Sequence, residues 1–233
     1  MEDMERYGDY NEVDEAPGGN KSLVGKLLKI LILTVCVLVV GILALRVIMF
    51  NYYPRAMKDI YFTDSLREYY ETAGDSFEAK TQSLRAPYDD PDVASFFCDN
   101  LIVIEDAGNL QISVRYNTSL IKTLNEKYGI ELDKDDPGIF SFKLERVPSI
   151  EDGEPYEIGA LSYVDSKDNL MYAYYKLVFE DISDEHFALG SWIRLTITLE
   201  GVEGAEPYHI LVYENTEDYN NFKEYKLKGR EKP

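Results

Sequence analysis

Twenty-one residues from Ile30 to Phe50 carry a single charge, Arg46, and fifteen of them are Leu, Ile, Val or Phe. At about 1.5 Å rise per residue a helix over this run is roughly 31 Å long, close to the ~30 Å hydrocarbon core of a bilayer. The apolar side chains contribute roughly −6 kcal/mol to insertion against about +3 for a central arginine, and Arg46 lies near one end, where it can snorkel to the interface. Ile30 to Leu45 is apolar all round rather than striped, unlike the core helix of a globular domain. A cleavable signal peptide fits poorly, because the preceding region is long and acidic and no small-x-small site follows. Leu33-Thr34-Val35-Cys36 is a weak lipobox, with Val35 too large and more apolar chain after Cys36. The reading is a transmembrane signal-anchor over residues 23–50.

Orientation rests on the flanking cations. Lys21, Lys26 and Lys29 precede the span, whereas Arg46, Arg55 and Lys58 lie at or beyond its far end. Lys26 and Lys29 sit directly at the start of the apolar run, and Phe50, Tyr52 and Tyr53 offer an aromatic belt at the other end. Lys26, Lys29, Arg46, Tyr52 and Tyr53 therefore mark the anchor boundary. The expectation is a cell-membrane protein with a cytoplasmic N-terminus and an extracytoplasmic C-terminal domain.

Residues 1–22 read as a disordered acidic cytoplasmic tail, with seven acids and one arginine in the first twenty positions and little to bury. Residues 51–62 read as a juxtamembrane connector that reaches at most about 40 Å when extended. Cys36 falls in the span and Cys98 is the only thiol after it, so no disulfide can join them. A disulfide-free domain of this size suits a bacterial cell envelope.

From Thr63 the pattern changes. Thr63-Asp64-Ser65 offers helix caps and Gly74 a stop; a second helix is expected over 118–128, capped by Asn117 and ended by Gly129. The remainder alternates with a period of two. Leu110, Ile112, Val114 and Tyr116 fall on one face of a strand, with Gln111, Ser113 and Arg115 on the other. Asp106-Ala107-Gly108-Asn109 joins it to Leu101–Ile104 as a hairpin. Phe140–Glu145, Tyr156–Val164, Leu170–Glu180, Ile193–Glu200 and Tyr208–Glu214 read as further strands, with a weaker one at Phe77–Leu84. The fold class expected over 63–233 is mainly β: an antiparallel β-sandwich of about eight strands with two short helices.

The sequence offers catalysis little. His186 reads as an exposed loop residue, His209 as a strand residue, and Cys98 as a small buried hydrophobe with no base placed beside it. No catalytic residue, cofactor or metal ligand is assigned, and no glycine-rich phosphate loop, zinc spacing or nucleophile elbow occurs. Acidic clusters at Asp89-Asp90-Pro91-Asp92, Asp133–Gly138 and Asp181–Glu185 raise the question of Ca²⁺. The middle one fails as an EF-hand loop, because Pro137 and Leu144 occupy ligand positions. Residues 51–233 hold 36 acids and 19 bases, a net charge of −17, which disfavours nucleic acid, anionic lipid surfaces and anionic wall polymers as partners. Tyrosine is abundant, at 19 residues. With Tyr175 facing the core, Tyr172 and Tyr174 are expected on the wet face, where paired rings could anchor a protein or stack on a sugar. The functional expectation is a non-enzymatic protein-interaction module, with ligand-sensing or glycan binding through exposed tyrosines as the alternative and an enzyme as the second.

Overall fold

The computed structural model describes residues 19–84, 96–132, 137–148, 154–169, 171–216 and 222–227. The acidic tail up to residue 18, the Asp89–Asp92 cluster and Asp133–Asp136 lie outside the described residues, as do Leu170 and the Phe50 side chain. The chain divides into two compact units, residues 1–48 and residues 49–233.

The first unit is dominated by helix α1 (Gly19–Asn51). Its stretch Leu23–Met49 is long and apolar enough to cross a membrane or to serve as a signal helix, and none of its most apolar window is buried. The Thr34 hydroxyl donates to the Ile30 oxygen at 2.9 Å, so the one hydroxyl in the run is satisfied within the helix. Cys36, Lys26, Lys29 and Arg46 are all exposed on α1.

The second unit is a sandwich of two antiparallel sheets. The larger contains β1 (Lys80–Gln82), β2 (Phe96–Ile104), β3 (Asn109–Asn117), β6 (Ala160–Asp168), β7 (Tyr172–Glu180) and β10 (Lys223–Glu224), in the order β10-β1-β2-β3-β7-β6. The smaller contains β4 (Phe140–Val147), β5 (Tyr156–Glu157), β8 (Ser191–Leu199) and β9 (Tyr208–Asn215), in the order β5-β4-β8-β9. The antiparallel sandwich expected from the alternation is therefore present, with ten strands among the described residues in place of about eight. The run expected as one strand over 156–164 splits at Ile158-Gly159, where the chain leaves the smaller sheet as β5 and enters the larger as β6.

Side-chain alternation explains the core. Leu110, Ile112, Val114 and Tyr116 of β3 and Tyr175, Leu177 and Phe179 of β7 face Phe140, Phe142 and Leu144 of β4 and Ile193, Leu195 and Ile197 of β8. Helix α4 (Ser119–Tyr128) adds Leu120, Ile121 and Leu124 and ends on Gly129 in the left-handed region. The Asn117 carboxamide accepts from the Ser119 amide at 2.9 Å. Between β2 and β3 the chain turns through Gly108 at φ +56°, and a Cβ there would stand 2.5 Å from the Ile182 oxygen.

A third layer covers the outer face of the larger sheet. It consists of residues 53–62, including helix α2 (Arg55–Lys58), then helix α3 (Asp64–Ala73), capped by the Thr63 side chain and ended at Gly74 as its sequence requires. Ile60, Phe62, Leu66 and Ala79 bury Ile102 and Ile104 of β2, while Tyr53 and Met57 bury Tyr172 and Tyr174 of β7. Residues 53–62, expected as part of a juxtamembrane connector over 51–62, belong to the globular unit.

Candidate functional site

The expectation that Tyr172 and Tyr174 are exposed is corrected: they are 5% and 0% exposed. Gln111, Ser113 and Arg115, expected on a wet face, are buried as well. The cause is the docked segment 53–62, whose main chain finds its hydrogen-bond partners in these polar side chains. Gln111 donates from Nε2 to the Tyr61 oxygen at 2.7 Å and accepts the Tyr61 amide at Oε1, 2.9 Å away, as a neighbouring strand would. The Ser113 hydroxyl donates to the Met57 oxygen. Tyr174 donates its hydroxyl to the Tyr52 oxygen at 3.0 Å and accepts from Asn169 at 2.9 Å. Gln111, Ser113 and Tyr174 thus meet main-chain groups where a solvated face would meet water.

Tyr53 is corrected in the same way. It is buried edge-on against Tyr174, with ring centroids 5.0 Å apart, whereas Tyr52 remains exposed. The Arg115 guanidinium lies against the rings of Tyr172, Phe97 and Tyr53 at 5.3, 5.5 and 5.8 Å and pairs with Asp99 at 2.8 Å. Burial pushes the Asp99 carboxyl up to about 6, against the pull of Arg115 and Lys58.

Lys176 is the least expected member of this face. It is 1% exposed, its Nζ has no hydrogen-bond partner, and it lies between Ser113 and Asp165 in register. Desolvation pushes its ammonium down to about 7, opposed by Asp59 of the docked segment. A near-neutral amine is chemically a nucleophile or base, yet this one is shut off from solvent. The signal in the sequence was a lysine flanked by Tyr175 and Leu177 inside an otherwise apolar strand.

The other candidate groups are also placed. Cys98 is buried and its thiol is pushed up by burial and by Asp99, which removes thiolate character. His186, expected as an exposed loop residue, is instead tucked against the Tyr156 ring, 5.9 Å between centroids. Burial lowers the pKa of His186, with Glu185 opposing and Arg146 assisting. On the outer face of the smaller sheet, Glu145 accepts from Arg194 Nε at 2.7 Å and from the Thr196 hydroxyl, which lies 3.0 Å from His209 Nδ1. Because Thr196 gives its proton to Glu145, His209 donates to it from Nδ1, and the chain of bonds links β4, β8 and β9 across this face. Burial and then Arg194 lower the pKa of His209. Among the described residues no three His, Cys, Asp or Glu side chains gather as a metal site.

Two surface features remain. A cleft of about 360 Å³ opens at one rim of the sandwich, lined by Phe77, Lys80, Glu105, Tyr213, Phe222 and Tyr225 among others. Its volume lies in the range of small-molecule sites. At the other rim, β6 is the edge strand of the larger sheet among the described residues, with most of its own residues exposed.

Comparison with family models, with curated proteins and with solved structures finds no match to this chain.

Proposed function

We propose that this protein is a single-pass membrane protein whose N-terminus is cytoplasmic and whose β-sandwich is an extracytoplasmic, non-catalytic protein-interaction module of a bacterial cell envelope. The observation that carries the reading is the exposed apolar stretch Leu23–Met49, with Lys26 and Lys29 near its start, joined to an acidic sandwich with one long free edge. The non-catalytic part draws support from the thiol of Cys98, which is buried and held protonated by burial and by Asp99. The test is protease added outside wall-stripped cells. It should remove the sandwich and spare the N-terminal tail; protection of the sandwich until lysis would reverse the topology and defeat the extracytoplasmic role.

A second reading, binding of a small ligand such as a glycan, moves from the buried Tyr172 and Tyr174 to the cleft, where Phe77, Phe222 and Tyr225 supply ring faces beside charged groups. Binding of soluble oligosaccharides that is lost on Phe222→Ala, with the melting temperature kept, would favour it over the first.

A further inference from the structure

We infer that the free edge of β6 is a self-association surface, on which a second copy of this chain adds its own β6 antiparallel across a two-fold axis at Ser166. This deepens the interaction-module reading and rests on it for the membrane confinement used below.

The edge is long and open. β6 spans nine residues from Ala160 to Asp168, pairs with β7 on one side and has no strand on the other among the described residues. Such a row of unpaired amides and carbonyls is a template for another strand. The rim is also where apolar surface collects. Among the described residues of the globular unit the exposed large apolar side chains are Tyr52, Tyr156, Leu161, Val164 and Leu189. Three of these five belong to β5 and β6, which only Ile158 and Gly159 separate: Tyr156 at 50% exposed, Leu161 at 38% and Val164 at 40%.

The occupant follows from the charges. Asp165 and Lys167 point to the same face of β6, and neither forms an ion pair among the described residues. Antiparallel pairing of two copies about Ser166 sets Asp165 opposite the second copy's Lys167, and Lys167 opposite its Asp165. Both new pairs are attractive and lie at directly facing positions. Moving the axis one residue either way sets Asp165 against Asp165 or Lys167 against Lys167. A centre at Val164 draws the irregularity between Leu161 and Tyr163 into the ladder. Charges that usually guard an edge here leave one register open and penalise its neighbours. A ladder over Val164–Asp168 is short, and confinement of anchored copies to one bilayer raises their effective concentration enough to make a short ladder count.

The test uses the full chain in vesicles, in a Cys36→Ala background so that the span contributes no cross-link. Ser166→Cys, self-opposed on the axis, should give a disulfide-linked dimer on mild oxidation, and Glu203→Cys should not. Lys167→Asp should lower the Ser166→Cys dimer yield on the order of ten-fold, and Asp165→Lys with Lys167→Asp should restore it, since the double exchange re-creates both pairs. Each change lies at an exposed or half-exposed position, and a melting curve checks that the fold is kept. Equal cross-linking at Ser166 and Glu203, or indifference to both charge changes, overturns the dimer. If cross-linking is indifferent to both charge changes while the chain still captures another envelope protein, the dimer fails and the interaction-module reading stands.

Discussion

The phenolic hydroxyl of Tyr174 in β7 donates to the main-chain oxygen of Tyr52 at 3.0 Å, across 122 positions of sequence. Asn169 donates to the same hydroxyl at 2.9 Å, which fixes its proton toward Tyr52. This bond ties the start of the docked segment to the larger sheet just after α1 ends at Asn51. Removal of the hydroxyl in Tyr174→Phe leaves two polar groups short of a partner and should cost about 1–3 kcal/mol. The paired replacement Tyr172→Ser with Tyr174→Ser should destabilise far more, by at least about 4 kcal/mol, because both rings are buried. Chemical denaturation measures both; a double variant as stable as the parent would mean that this face is open in solution.

Length at the N-terminal side matters for the same reason. A chain starting at Asn51 should fold on its own and give a β-rich far-ultraviolet spectrum. A chain starting at Thr63 lacks Tyr53, Met57, Ile60 and Phe62, each worth roughly 1.5–3 kcal/mol of burial, together with the partners of Gln111 and Ser113. That loss is comparable with a whole domain's stability of about 5–15 kcal/mol, so the shorter chain should unfold or aggregate. Equal melting temperatures for the two would refute the structural role of residues 53–62.

Lys176 predicts a pH dependence. Its folded value of about 7 lies below the ordinary 10.5, so between these the unfolded chain binds a proton that the folded one refuses. The contribution to stability is complete above about pH 10.5, is lost as the pH falls toward 7, and changes little below that. Lys176→Met should therefore stabilise the protein at pH 7, by up to about 4 kcal/mol, and flatten this component of the profile between pH 7 and 10. Parallel profiles for the two proteins would show that the amine is solvated in the folded state.

The Arg115–Asp99 pair should be costly to break. Asp99→Ala takes the carboxylate from a buried guanidinium and should destabilise by about 3 kcal/mol. Arg115→Lys keeps the charge but loses the flat contacts with Tyr172, Phe97 and Tyr53, and should also destabilise, by about 2 kcal/mol. Denaturation midpoints within error of the parent would remove the pair from the account of this face.

Gly108 and Gly129 both hold positive φ, but only Gly108 faces backbone at close range. Gly129→Ala should cost about 1–2 kcal/mol for the left-handed conformation alone. Gly108→Ala should cost clearly more, since the added carbon meets the Ile182 oxygen. Similar melting temperatures for the two variants would mean that the 106–109 turn relaxes freely.

Local chemistry made much of this legible. The Thr63 cap, the Gly74 and Gly129 stops and the Gly108 turn depend on a few adjacent residues, and all four stand where the sequence puts them. The inward Tyr175 and the β3 core face follow from a period of two. The split of residues 156–164 between two sheets was not legible, because both halves alternate and the glycine marks a break without giving its direction.

By itself the sequence determined the apolar helix, the two-faced strands and the sandwich class, since continuous hydrophobicity and strict alternation are local and admit few solutions. Only the tertiary structure decided which faces meet water. Gln111, Ser113 and Arg115 carry the polarity of a solvated face, yet a hydrogen bond to the main chain of Met57 or Tyr61, or an ion pair with Asp99, satisfies such groups as water would. Alternation records that a strand has a polar side; whether water or another segment of chain fulfils that polarity depends on contacts 16 to 56 residues apart, which no local pattern encodes.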